Sequence, residues 1–247
     1  MSFARRQFPG LEVASLDCAG WTFTPHFHDE FVLGVNVQGA ERIRLDGESL
    51  EAGERDITLY NPAQVQSSSA LGPEWQFLSL YVDPTVLRDA FDLSPEIVFE
   101  RSVLTHDGAA SRMAGAIRFS LDPDATIEEA SERLIQTLNE LLSLAGSRRS
   151  MVGRGVPALV RRVAERLRDE VPAPTLQALA DEAGLSRVQL VRAFTRAYGL
   201  PPFAWIANWR VNEARVRLRK GETTARIAAD RGSRRRRAGR QPDRAGR

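Results

Sequence analysis

Residues 175–199 read TLQALADEAGLSRVQLVRAFTRAYG. Leu176, Leu179, Ala180 and Ala183 recur at i, i+3, i+4 and i+7, which predicts one apolar stripe on a first helix. Thr175 follows the breaker Pro174 and suits the N-cap, and Gly184 suits the left-handed position after the last turn. Ser186 and Gln189 have the spacing of a capping box for a second helix, and Leu185 and Leu190 that of a hydrophobic staple. Leu190, Ala193, Phe194 and Ala197 form its buried stripe. A helix, a short glycine turn and a second helix make a helix-turn-helix, so double-stranded DNA is the first partner to consider.

The opposite face of the second helix carries Arg187, Val188, Val191, Arg192, Thr195 and Arg196. Arginine donates in pairs to guanine O6 and N7, and a small aliphatic group such as Val188 or Val191 can touch a thymine methyl. Arg187 and Arg196 can equally lie along phosphates, which position a protein without reading sequence. Gln189 is contested, because a capping role draws it away from the bases. The plain alternative is a solvated helix of an ordinary bundle, on which two outward valines between arginines would be odd.

Residues 158–230 resemble the DNA-binding domain of AraC/XylS-type transcriptional regulators. The matching pieces are TLQALADEAGLS, SRVQLVRAFTRAYG and PPFAWIANWRVNEARVRLRKGE. The resemblance implies that the third piece is a long helix connecting two helix-turn-helix units, with Pro202, Trp205, Arg210 and Ala214 at its pattern positions. Pro201 and Pro202 can open that helix, and Trp205, Ile206, Trp209 and Leu218 can pack on the flanking units. It also implies two recognition helices in successive major-groove segments, about 34 Å apart.

The second unit starts plausibly at ETTARIAAD, residues 222–230, and then the pattern stops. Arg231 to Arg247 contain no Leu, Ile, Val, Phe, Tyr or Trp, so no amphipathic recognition helix can be built there. An Arg-rich disordered tail is expected instead, and a frameshift or truncation would produce so abrupt a switch. Resequencing the codons for Ala229 to Ser233 tests this: a clean frame with no second unit in either alternative frame counts against a recent frameshift.

Charge divides the chain in the same place. The tail holds eight arginines and one aspartate, whereas the whole chain is only +2. Residues 157–220 hold twelve basic and six acidic side chains, the footprint of a DNA binder. The N-terminal part is therefore acidic, at about −11 with the short segment around Glu222 counted in.

That N-terminal part reads as β-structure. Phe31, Leu33, Val35 and Val37 alternate with Val32, Gly34, Asn36 and Gln38. Ile43 and Leu45 alternate with arginines before an Asp46-Gly47 turn, Ile57 and Leu59 precede Asn61-Pro62, and Trp75, Phe77, Ser79 and Tyr81 alternate again. Short strands with turn signals between them predict a sandwich or small barrel. PHFHDEFVLGVNVQGAERIRLDG and AGERDITLYNPAQVQ resemble the cupin-like ligand-binding domain of the same regulators, which implies a small-molecule effector.

His26 and His28, two apart on a strand, would face one side, and Glu30 continues that face. They are the candidate effector-binding residues. Metal-binding cupins add a histidine from a second motif, where this chain has Gln66, so a metal set is incomplete and no metal or cofactor is expected.

Pro84 to Phe91, Ala110 to Ser120 and Ile127 to Ala145 are predicted helices; the last has a stripe of Ile127, Leu134, Ile135, Leu138, Leu141 and Leu142. Helices after the barrel often support dimerisation in the family, so the resemblance implies a homodimer. The expected organisation is α+β: a cupin-like barrel with following helices over 1–146, a linker over 147–157, a helical DNA-binding domain over 158–230 and the tail over 231–247. The single Cys18 excludes an internal disulfide, no apolar run approaches membrane-spanning length and MSFARRQFPG lacks a signal core, so a cytoplasmic chain with no membrane partner is expected. No phosphate-cradling glycine loop, paired-cysteine motif or Gly-x-Ser-x-Gly elbow is present, so an enzyme is not expected. The expectation is an effector-controlled, sequence-specific transcriptional regulator. The alternatives are a cupin-type metalloenzyme and a defective regulator that no longer reads DNA specifically.

Overall fold

A computed structural model describes residues 3–91, 97–149 and 156–230. The chain divides into two compact units, Met1–Val152 and Gly153–Arg247. The tail beyond Asp230 lies outside the described residues.

The first unit is built on one eight-stranded antiparallel sheet. Its strands are β1 (Phe3–Phe8), β2 (Leu11–Asp17), β3 (Thr22–His26), β4 (Phe31–Leu45), β5 (Glu48–Ala52), β6 (Asp56–Tyr60), β7 (Gln66–Val82) and β9 (Val103–Thr105). The path runs β1-β2-β7-β4-β6-β9, with β3 also on β7 and β5 also on β4. A short separate pair joins β8 (Ile97–Phe99) to β10 (Ser147–Arg149). The stretch expected as a linker therefore begins inside the first unit: Ser147, Arg148 and Arg149 pair with Phe99, Val98 and Ile97.

Two long strands replace the series of short ones the turn signals suggested. β4 continues through Gly39, which takes φ +74 at a register shift against β7. β7 passes through Gly72-Pro73, because residues 71–74 fall in the irregularity between the Ala70–Glu41 and Trp75–Gly39 pairs. Proline needs no ladder hydrogen bond there, so it is tolerated in a strand it would otherwise disrupt.

Both faces of the central strands are covered, which explains the near-continuous apolar run FVLGVNV. Phe31, Leu33 and Val35 of β4, with Leu78, Leu80 and Val82 of β7, turn to a large core. That core is closed by Met113 and Ile117 of α2 (Asp107–Leu121) and by Leu134, Leu138 and Leu141 of α3 (Ile127–Ala145). The helix starts are capped. Asp83 Oδ1 accepts from the Thr85 amide at 2.9 Å ahead of α1 (Pro84–Phe91). His106 Nδ1 accepts from the Ala109 amide at 3.1 Å, and Thr126 caps α3.

The second unit is helical: α4 (Ala158–Asp169), α5 (Leu176–Glu182), α6 (Arg187–Tyr198) and α7 (Pro202–Arg219), with residues 224–230 also helical. Val160, Val163 and Leu167 of α4, Leu179 of α5, Leu190 and Phe194 of α6 and Trp205 and Ile206 of α7 are buried. Phe194, Tyr198 and Trp205 meet pairwise at centroid distances of 4.7, 5.6 and 5.2 Å. Leu218, expected to pack, is instead 44% exposed. No helix among the described residues is long and apolar enough to cross a membrane.

Candidate functional site

The face of the first sheet turned away from the helices lines a cavity of about 490 Å³, its open mouth included. Alternation along each strand selects the lining. Val32, Gly34 and Glu41 come from β4, Thr58 and Tyr60 from β6, and Phe77, Ser79 and Tyr81 from β7. Gly34 must lack a side chain, because a Cβ there would lie 2.5 Å from Thr58 Oγ1.

His26 and His28 both line this cavity, with ring centroids 5.0 Å apart. β3 ends at His26, so the two meet at a strand end, not along a regular strand as expected. His26 Nδ1 lies 2.7 Å from the Thr24 carbonyl. A carbonyl only accepts, so Nδ1 carries the hydrogen. Glu30 is buried but is not part of the lining, because the chain turns into β4 after His28. The expected trio therefore reduces to the two histidines.

Three lining groups dominate its chemistry: Glu41 and Tyr60, which sequence spacing did not single out, and Gln66, at the expected second-motif position. Glu41 is 5% exposed, and burial pushes its carboxyl up to about 7 against hydrogen bonds from Ser68 and Asn36 that favour the ionised form. Asn36 Nδ2 also donates to the Ala52 carbonyl at 3.1 Å, and Asn36 Oδ1 accepts from Trp75 Nε1 at 3.0 Å, so the amide is held from three sides. Burial, with Glu41 nearby, raises the Tyr60 phenol well above its ordinary value. Gln66 is buried in the lining, and its Oε1 accepts no hydrogen bond from any described residue. No cluster of three or more His, Cys, Asp or Glu among the described residues is placed to hold a metal.

The second candidate surface is α6. Ser186 Oγ accepts from the Gln189 amide at 3.2 Å, and Gln189 Oε1 accepts from the Ser186 amide at 2.9 Å. The capping box is complete, so Gln189's carbonyl oxygen is engaged at the helix start. Gly199 closes the helix at φ +74. Arg187, Val188, Gln189, Arg192 and Arg196 are exposed, Val188 at 61%, and Val191 is half-buried. Thr195 departs from the expectation: it is half-buried, and its Oγ1 is withdrawn from solvent with no partner among the described residues. One helical turn beyond Val191, Thr195 sits at the edge of the packed stripe. The outward face is thus three arginines around Val188, with a glutamine that is half committed.

Comparison with known proteins finds a family model for each unit. The model of the AraC-like ligand-binding domain matches residues 8–138, and a helix-turn-helix domain model matches residues 179–235. An HTH-type transcriptional regulator of Bacillus subtilis, YbfI, is 26% identical over 210 residues, covering 81% of this chain and 74% of its own. Among solved structures, KdgF from a Halomonas species is 24% identical over 33% of this chain and 80% of its own, with a TM-score of 0.30. A cupin superfamily protein from Desulfitobacterium hafniense is 12% identical over 33% of this chain and 77% of its own, also with a TM-score of 0.30. With an AraC-like ligand-binding domain ahead of a helix-turn-helix, the chain belongs to the AraC-like ligand-binding family and is built as a transcriptional regulator.

Proposed function

We propose that the chain binds double-stranded DNA sequence-specifically through α6, under the control of a small effector held in the cavity of the first unit. The observation that carries this reading is the outward face of α6, where Arg187, Arg192 and Arg196 surround the exposed Val188 on a rigidly capped helix. Such a face offers bidentate donors for guanine and a methyl-sized contact for thymine. The effector seat is the cavity lined by His26 and His28; Glu30 lies outside it. A homodimer formed through the first unit would present two copies of α6 to DNA, as paired half-sites require.

Arg192→Ala tests the reading on duplexes selected by the whole chain. It should lose about 1–3 kcal/mol of discrimination at one base position. Uniform weakening on every sequence would place Arg192 on a phosphate instead. Metal content of the purified chain separates the metalloenzyme reading: near-stoichiometric, tightly held metal would favour that chemistry over an effector pocket.

A further inference from the structure

The cavity holds more information about its occupant than the two histidines give. It has one carboxyl group, Glu41, and neither lysine nor arginine among its lining residues. Glu41 is buried, its hydrogen-bond donors Asn36 and Ser68 are neutral, and no lysine or arginine lines the cavity to offset its ionised form. A buried carboxylate is costly unless a positive charge joins it. Gln66 contributes a buried oxygen that has no donor among the described residues. The Gln66 backbone pairs with His26 of β3 and Leu45 of β4, and its buried side-chain oxygen is left for a donor that the described residues do not provide.

Part of the remaining wall is aromatic. Phe23 and Phe77 meet edge to face at 6.2 Å between centroids, and Tyr81 stands against His28 at 5.5 Å. Aromatic faces attract cations as well as apolar bodies. The field of the unit has the same sign: residues 1–146 carry twenty-three acidic and ten basic side chains, which raises the local concentration of cations over anions.

We propose that this cavity takes a small organic cation, an amine whose ammonium group donates to Glu41 and Gln66 while its carbon body lies against Phe23, Phe77 and Tyr81. The proposal rests on the reading of the cavity as the effector seat and names the chemistry of that effector. A carboxylate ligand would meet Glu41 with no lysine or arginine in the lining to offset it. A neutral polyol would satisfy Gln66 and bring no positive charge to Glu41.

The test is isothermal titration of the whole chain with matched probes: benzylamine against benzyl alcohol and benzoate, and putrescine against 1,4-butanediol and succinate. At least one amine should bind about tenfold or more tightly than its alcohol and carboxylate counterparts. Glu41→Gln should abolish that preference while retaining the wild-type near-ultraviolet circular dichroism, and Gln66→Leu should weaken the amine in a chain that keeps Glu41. Alcohols or carboxylates binding as well as amines, an amine preference that survives in Glu41→Gln, or no saturable binding by any probe would overturn the proposal. If an alcohol or carboxylate bound and also shifted DNA affinity, the proposal would fail and the regulator reading would stand. DNA binding without sequence preference would defeat that reading whatever the probes do.

Discussion

At the scale of single residues, Glu41 links the fold of the first unit to its chemistry. Its folded carboxyl titrates near 7 against an ordinary 4.5, so the folded chain holds a proton that the unfolded chain has released between those values. The unfolded state then binds fewer protons, and stability falls as pH rises through that window. The contribution is full below about 4.5 and lost above about 7. Urea unfolding at a series of pH values should show Glu41→Gln flattening this loss by on the order of 3 kcal/mol. An unchanged pH profile in the variant would mean that Glu41 is not buried in this way. The residue was hard to read in sequence, because AERIRL looks like a solvated strand edge; strand pairing brings Ser68 of β7 and Tyr60 of β6 close to Glu41 of β4. Thr195 shows the converse. Helical spacing put it on the outer face, and packing drew its hydroxyl inward.

At the scale of elements, local signals and long-range pairing divide the sequence between them. α1 and α3 run over the residues that periodicity predicted, and α5 and α6 start at the expected caps Thr175 and Ser186, because apolar stripe and N-cap are encoded within a few residues. Ser186→Ala breaks the capping box and should cost about 1 kcal/mol in chemical unfolding of the second unit. β1, β2 and β3 carried no such signal. β1 holds Arg5, Arg6 and Gln7 in a row between Ala4 and Phe8, and β3 contains Pro25, so their partners decide them. The union of two expected strands into β4 depends on Gly39, whose Cβ would fall 2.0 Å from the Glu74 carbonyl oxygen at positive φ. Gly39→Ala should therefore destabilise the first unit by more than the roughly 1 kcal/mol of a glycine strain effect alone. An unfolding midpoint equal to wild type would show that β4 does not need this bend.

At the scale of the whole molecule, the chain joins an acidic unit that encloses a cavity to a basic unit that exposes a helix face. The division was legible in charge and composition; its boundary was not, because SRR reads as linker until β8 supplies a partner for β10. A chain ending at residue 149 should unfold cooperatively, with the midpoint that the first unit shows in the whole chain; a shifted or broad transition would mean the units depend on each other. The central claim concerns the second unit. It is tested most directly by titrating the whole chain onto the duplex upstream of its own gene and onto random duplex, at two salt concentrations. The account predicts a preference for the upstream duplex that survives the higher salt and is lost in Arg192→Ala, because base contacts release fewer counterions than phosphate contacts. Equal binding to both duplexes, lost together as salt rises, would contradict it.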